Sequence, residues 1–582
     1  MSHNLIQLRR NRGELRVDDT ALQQLKHVMH ERREITTEDV RAIAKATGQP
    51  EAAVHGVATF YDELGTERRG KTRVKVCKGT ACHAACQDAS VDWMKDALGL
   101  EVGQTSKDGE VSLETAYCLG FCNAGPTVEV EGRVYGELTP ERAKALAKDL
   151  KGGGGLLEAH QGLVPRFEVH GGPAIVLERL AKGVDAADLA VARAHGVFQG
   201  LAKALSSMKP DQVLGEVEAA QLRGRGGAGF STAQKWRFAA ANAKDTKEAF
   251  VVCNADEGDP GSYIDKYLME RDPFALIEGI TLAGFAIGAT RGFVYVRSEY
   301  PQSRPALERA VAAARAAGLL GAKILGSDFS FDINVVQGAG SYVCGEETAL
   351  LRSLEGLRGN VTARPPYPAD KGLFERPTVV NNVETLTNVG WIVRHGGAEY
   401  AKLGVGKSRG TKTVSLNERF ARPGVYEVPL GVSLRHVRED IGGGMKNGRP
   451  IKAVQVGGPL GGILPASKRR SGSRSSTPSA RSSATAASSR GTTRSIRATS
   501  QCTSSSSATP SLAASASRAA LAAAAASRSR EGSRRRAAAR PSARTWRSSR
   551  SSARSSSSAR SARTAARSRI RSARCSCTSN PR

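Results

Sequence analysis

The chain changes character at Lys468, and that break limits what it can fold into. From there to Arg582, 115 residues include 35 Ser, 26 Ala and 25 Arg. The large apolar residues of this tail are Ile496, Leu512, Leu521, Trp546 and Ile570. Burying all five returns on the order of 10 kcal/mol, whereas ordering 115 residues costs more than roughly 100 kcal/mol. The tail cannot build a core alone and is expected to be disordered. A fold must come from the first 467 residues. The charge divides at the same point. The tail is +25, with Glu531 as its one acid, and the first 467 residues carry 59 basic and 55 acidic groups, a net of +4. The +29 of the whole chain therefore makes no case for nucleic acid binding by the body.

The opening "MSHNLIQLRRNRGELRVDD" has no apolar h-region, so no signal peptide is expected. The best membrane-span candidate, 274–290, is interrupted by Glu278 and glycines and reads as a buried helix. Five of ten cysteines lie between Cys77 and Cys122. In a cytoplasmic chain, which this one is expected to be, such a cluster points to metal rather than disulfides.

Hydrophobic periodicity divides the body. Residues 19–65 read as helical, with an N-cap pattern at Thr36–Asp39. "TRVKVC" alternates as a strand, "VDWMKDALGL" reads as a helix, and "TVEVEGRVYGEL" as a hairpin about Glu131-Gly132. A helix and the glycines 152–155 close this part. Over 165–395, strand-like runs such as "AFVVC" and "GFVYVRS" alternate with Ala-rich helices, the pattern of a layered α/β domain. Residues 400–467 predict a small α+β module. The expected organisation is an α/β multidomain chain: a helical lead-in (1–70), a small domain (71–155), the α/β domain (156–398), the small module (399–467) and the tail (468–582).

Cys77 and Cys82 are spaced C-x4-C, and Cys118 and Cys122 C-x3-C, each pair after a strand-like run. Four thiolates on two loops can hold a [2Fe–2S] cluster, two per iron. The spacing also suits structural zinc, and buried thiols without metal are the third reading. Cys86 is an extra thiol. The lead-in together with "GVATFYDEL", "VCKGTAC" and "CLGFCNAGPTVEV" resembles the thioredoxin-like [2Fe–2S] subunit of respiratory complex I (24-kDa type). That resemblance implies a thioredoxin-like ferredoxin domain with Cys77, Cys82, Cys118 and Cys122 as cluster ligands.

"RGRGGAGFSTAQKW" places four glycines before a helix, which suits close approach to a phosphate at a helix N-terminus. As a G-x-G-x-x-G match it is weak: no clear strand precedes it, so a plain flexible loop competes. Two acidic loops follow, "CNADEGDPGSYIDK" and "GAGSYVCGEETALLRSLEG". Acids that merely complement a helix dipole explain either loop alone. With "RPPYPADKGLFERPTVVNNVETL", however, the set resembles the FMN- and NADH-binding subunit of complex I (51-kDa type). It is similar also to flavoprotein subunits of NAD-reducing hydrogenases and NAD-dependent formate dehydrogenases. "RPGVYEVPLG" resembles that family's β-grasp module.

The resemblance implies roles. Gly224, Arg225, Gly226, Gly227 and Lys235 would cradle the FMN phosphate and ribityl chain. Asn254, Asp256, Glu257, Tyr342, Gly345, Glu346, Asn381 and Asn382 would line the flavin. Phe230, Phe238 and Tyr367 would stack on NADH, with Arg364 as a polar contact and Glu347 and Asp259 as the candidate catalytic groups. The implied function is an NADH:acceptor oxidoreductase, or diaphorase, inside a multi-subunit redox complex and without a membrane span of its own. NAD⁺ reduction in a hydrogenase or formate dehydrogenase complex is the alternative direction. The family also implies a following helical bundle with a C-x2-C-x2-C run for a [4Fe–4S] cluster. Here the tail offers only Cys502, Cys575 and Cys577. A reading-frame shift near residue 468 in a GC-rich gene accounts for both the lost run and the Ser/Arg/Ala composition. An RNA-binding or scaffold role for a genuine Arg/Ser tail is the rival.

Overall fold

The computed structural model describes residues 19–152, 163–246, 248–466 and 483–487. In the small domain, β1 (Thr72–Cys77), β2 (Val111–Ala116), β3 (Val128–Val130) and β4 (Arg133–Tyr135) form a sheet in the order β2-β1-β3-β4. β1 and β2 are parallel, and the β3–β4 hairpin turns at Glu131 and Gly132, both at positive φ, as two-residue hairpins require. Helices Ala89–Leu98 and Pro140–Gly152 cover this sheet, burying Met94, Leu98 and Leu146 with Val74, Val76 and Leu113. This is the expected thioredoxin-like arrangement.

After β5 (Arg166–Val169), the central domain is a four-stranded parallel sheet of β6 (Phe250–Ala255), β7 (Arg291–Val296), β8 (Asp332–Gln337) and β9 (Thr378–Asn382), ordered β8-β7-β6-β9. Both faces are apolar, as parallel sheets require, and alternate residues enter two different cores. Val251, Cys253, Val294, Val296, Ile333 and Val379 point into a core built with Trp236 and the helix Pro273–Ile287. That helix is the run that the sequence offered as a membrane-span candidate, and it is buried. Phe250, Val252, Phe293, Tyr295, Val336 and Val380 point the other way and pack on Leu22, Leu25, Ile43, Val54, Val57 and Tyr61.

The second cover thus comes largely from the N-terminal lead-in, helices Ala21–Arg32, Thr37–Thr47 and Glu51–Ala58. The Thr36–Asp39 capping box anticipated in sequence opens the second of these. Lys26 Nζ donates to the Gln337 carbonyl at 2.8 Å, and the Asp62 and Glu63 amides donate to Gly340 and Ala339 at 2.8 and 2.9 Å. The lead-in therefore belongs to the core of the central domain as well as preceding the small one.

The short hairpin strands β10 (Gly404–Val405) and β11 (Ser408–Arg409) form a two-stranded sheet of their own, apart from a larger set. That set comprises β5, β12 (Thr411–Leu416), β13 (Gly424–Pro429), β14 (Ala453–Val456), β15 (Gly462–Pro465) and β16 (Ser483–Ala487) in the order β15-β14-β16-β12-β13-β5. β5 precedes the central domain in sequence yet pairs with β13. Against the expectation of a wholly disordered tail, residues 483–487 form a strand between β12 and β14. Ladder hydrogen bonds are made by the backbone, so a Ser/Ala segment can supply them. The rest of the tail, including Cys502, Cys575 and Cys577, lies outside the described residues. Among the described residues no helix is long and apolar enough to cross a membrane.

Candidate functional site

β1 ends on Cys77, which pairs with Ala116 at the end of β2. Two loops therefore leave the same edge of adjacent parallel strands. The first enters the helix Thr80–Cys86 and carries Cys82. The second carries Cys118, in the left-handed region at φ 74, and Cys122 at the start of a single turn. All four thiols are buried. The Cys118 and Cys122 sulfurs are 3.5 Å apart, and Cys77 and Cys82 hydrogen-bond one another, which lowers the Cys77 pKa. Among the described residues no three His, Cys, Asp or Glu side chains are arranged to hold one ion. After the hydrogen bond within each pair and burial, the pairs are close enough that each raises a thiol of the other, Cys118 acting on Cys82 and Cys77 and Cys82 on Cys122, and two such pairs suit a two-iron cluster. Gly125 leaves the room this needs, since a Cβ there would sit 3.2 Å from Cys82 Sγ. Cys86 stands outside the set, its thiol donating to the Cys82 carbonyl.

The central sheet makes the second site. From β6 the chain steps outward through β7 and β8, then returns to the other side of β6 as β9. Loops leaving β6 and β9 therefore diverge, and such a switch point opens a crevice at the carboxyl ends of the strands. Asn254, Asn381 and Asn382 stand there, with Asn254 paired to Asn382. The Trp236 indole donates to Asn381 Oδ1 at 2.8 Å. Asn254 donates to the Gly345 carbonyl at 2.8 Å and accepts from the Asp256 amide at 3.1 Å, tying the two acidic loops together. Asn382 caps the helix Val383–His395.

The glycine loop is pinched shut by the Arg223–Ser231 bridge and feeds the helix Thr232–Thr246. No strand precedes it; the helix Pro210–Ala219 does. It is therefore not the first turn of a dinucleotide-binding βαβ unit. Its closeness to the strand ends is steric: a Cβ on Gly226 would lie 2.9 Å from Asn382 Cβ. Gly227 adopts φ 123, which L side chains rarely adopt. A floor without side chains beside amide-bearing strand ends and a helix N-terminus suits the phosphate and ring of FMN.

At the rim, Glu346 caps the helix Glu347–Leu354 through the Thr348 and Ala349 amides at 2.9 and 3.1 Å. Glu347 sits between two cations, Lys235 at 3.1 Å and Arg364. Tyr342 donates to Asp259 Oδ1 at 2.6 Å and lies over Gly258, where a Cβ would meet its ring at 2.8 Å. Phe230, Phe238 and Tyr367 are 46, 50 and 55% exposed. Phe238 is on the helix that Asn242 ties to Ala369 and Asp370, next to Tyr367. Asp256 is buried, and burial pushes its carboxyl up to about 7 against the opposing pull of Arg297.

Some expected roles do not match the side-chain placement. The Arg225 guanidinium is buried against Tyr400 Oη and the Arg409 carbonyl at 2.9 and 2.7 Å, and its amide donates to Thr385. Arg225 anchors the glycine loop from behind through this phenol and carbonyl, while its Nε is buried without a partner. Glu257 turns toward Ser262, Tyr300 and the Lys266 amide, where its lone pairs are used. Lys235 is held by Glu347 and the Val380 carbonyl. Sequence reasoning missed Trp236, Arg297 and Gly261. The Gly261 amide donates to Cys122 Sγ at 3.2 Å, so the loop that bears Asp256 and Asp259 also touches a cluster cysteine. Arg297 had a readable signal: a charge directly after the apolar run "GFVYV", at the carboxyl end of a parallel strand.

Comparison with known proteins finds two matched stretches. Residues 9–151 match the thioredoxin-like [2Fe–2S] ferredoxin family, and residues 217–391 match the Nuo51 FMN-binding domain. The chain is 50% identical over 267 residues to the NADP-reducing hydrogenase subunit HndC of Solidesulfovibrio fructosivorans, covering 46% of this chain and 54% of that one. It is 33% identical over 417 residues to the NAD-reducing hydrogenase HoxS subunit alpha of Cupriavidus necator, covering 71% of this chain and 67% of that one. A solved NAD⁺-reducing [NiFe]-hydrogenase in the H2-reduced state superposes with a TM-score of 0.64 at 32% identity, covering 78% of this chain and 74% of that chain. The chain spans little more than half of several curated relatives it matches, 54% of HndC and 61% of an NADH-quinone oxidoreductase component from Aquifex aeolicus.

Proposed function

The chain belongs to the family of FMN-binding components of NADH-quinone oxidoreductases and NAD-reducing hydrogenases, and from that premise we propose that it is an NADH:acceptor oxidoreductase module working within a multi-subunit redox complex. The observation that carries this reading is the shared loop. Residues 256–261 border the crevice through Asp256 and Asp259 and reach the four-thiol pocket through the Gly261 amide on Cys122.

A bound FMN supplies two-electron acceptance from NADH and one-electron release to iron–sulfur centres. The chain's residues bind, orient and shield. Gly224, Gly226 and Gly227 leave room for the backbone to approach the phosphate, at the N-terminus of the helix Thr232–Thr246. Asn254, Asn381 and Asn382 present amide donors and acceptors to the ring edge, with Tyr342, Gly345 and Glu346 on the facing loop. Phe230, Phe238 and Tyr367 offer flat faces to the rings of NADH, which sets the donor carbon against the flavin. Glu347 and Asp259 are the groups assigned to touch the nicotinamide nucleotide. Glu347 is fixed by Lys235 and Arg364, and Asp259 by the Tyr342 hydroxyl. Cys77, Cys82, Cys118 and Cys122 are assigned the [2Fe–2S] cluster.

The proposed location is the cytoplasm, on the cytoplasmic side of any membrane complex. A second direction, NAD⁺ reduction, is favoured by one observation: the HoxS alpha subunit matches 71% of this chain, beyond the FMN-binding domain alone. The test is reconstitution with FMN, iron and sulfide followed by NADH:ferricyanide turnover. Glu347→Gln should slow it, and turnover unaffected by that change would remove Glu347 from the site. Co-purification of a nickel–iron or molybdopterin subunit would select the reverse direction.

A further inference from the structure

Arg297 directly follows β7, at the same end of the sheet as Asn254 and Asn381, and is 3% exposed. Its guanidinium is shared between the two sites. Nη1 donates to the Glu257 carbonyl at 2.7 Å, on the crevice loop. Nη2 donates to the Tyr117 carbonyl at 3.2 Å, one residue before Cys118. Glu299 lies 3.0 Å away and Asp256 3.9 Å away. The guanidinium also sits 4.9 Å from the centre of the Tyr300 ring. Tyr300 in turn fills the space over Gly120, between the two cysteines of the second pair, where a Cβ would be 2.3 Å from its ring. A buried guanidinium needs several partners to offset its desolvation, and this one draws them from both loops at once.

We propose that Arg297 is a positioning residue that sets the reduction potential of the [2Fe–2S] cluster: its permanent positive charge favours the reduced cluster, and its forked donors lock the cysteine loop to the crevice loop. The inference rests on the cluster assignment made above. Reduction adds one electron and one negative charge to the cluster, and a nearby cation stabilises that product. Cluster net charge and surrounding hydrogen bonds are the levers that set such potentials. A guanidinium does not lose its proton in proteins, so its contribution should be constant with pH. Removing it leaves Glu299 uncompensated, which shifts the potential in the same direction as losing the charge itself.

The experiment is a redox titration of the full chain, reconstituted with FMN, iron and sulfide, reduced stepwise with dithionite and read by paramagnetic resonance of the cluster. In Arg297→Met the reduction equilibrium should fall at least tenfold, about 59 mV for a one-electron couple. Arg297→Lys should recover most of that, and Glu299→Gln should move the midpoint upward. An intact cluster signal at an unchanged midpoint in Arg297→Met overturns the proposal. If Arg297→Met fails to assemble, the other two variants decide: a midpoint in Glu299→Gln that stays put or falls overturns it. Absence of any cluster signal in the unsubstituted chain would instead sink the cluster assignment, and this proposal with it.

Discussion

Phe238→Ala separates a binding aromatic from a packing one. Phe238 is 50% exposed on the helix Thr232–Thr246, whereas Trp236, two residues earlier, is fully buried. Half-exposed rings contribute little to folding, so the substitution should leave stability within about 0.5 kcal/mol. Its assigned work is to stack on NADH, and an aromatic contact of that kind is worth about 0.5–1.5 kcal/mol. At 1.4 kcal/mol per decade this converts to a roughly two- to twelve-fold rise in KM. The stack forms with the ground state and transition state alike, so kcat should hold. Steady-state NADH:ferricyanide kinetics at several NADH concentrations, with thermal unfolding alongside, read both quantities. A KM equal to the unsubstituted chain's, or a loss of several degrees in Tm with KM unchanged, would refute the reasoning and return Phe238 to the ordinary surface.

Cys82→Ser should abolish the [2Fe–2S] resonance while FMN content stays near one per chain, measured by flavin release and iron analysis. Leu22→Ala, in the lead-in core that covers β6 and β7, should cost about 2–5 kcal/mol, and denaturant unfolding followed by flavin fluorescence should report the loss although Leu22 touches neither cofactor site. The Asp256 carboxyl is raised to about 7 in the folded state, so the native chain binds the extra proton between pH 4 and 7 and its stability falls as pH rises across that window. Asp256→Asn should flatten that decline by about 3 kcal/mol between pH 5 and 8, and denaturant midpoints at those two pH values check it. A chain ending at Ala487 should keep its FMN and iron contents, measured after reconstitution.

Much of the fold was legible because apolar patterning fixes it locally. The Thr36–Asp39 cap, the β3–β4 hairpin and the burial of the helix Pro273–Ile287 follow from short-range chemistry. The lead-in was legible as helices but not as the second cover of the central sheet. Its apolar face states that something is covered, and nothing in the periodicity names Phe250 or Tyr295 as the partner. At the site, the motifs named Asn254, Asn381 and Asn382, and it is the parallel topology that carries them to strand ends. Side-chain direction was the illegible part. Arg225 and Glu257 lie in the right loops but face inward, since buried carbonyls, hydroxyls and amides compete for them. Arg297 was invisible to motif spacing because its partners, Tyr117 and Glu257, are 180 and 40 residues away.

The central claim is that one chain joins a flavin crevice to a [2Fe–2S] pocket across the loop 256–261. Anaerobic NADH titration of the reconstituted protein tests it most directly, with flavin absorbance and the cluster resonance followed in the same samples. The account predicts that NADH bleaches the flavin and that the cluster signal grows as electrons reach it to the extent its potential allows. Protein that holds FMN in full yet shows no bleaching with excess NADH would contradict it.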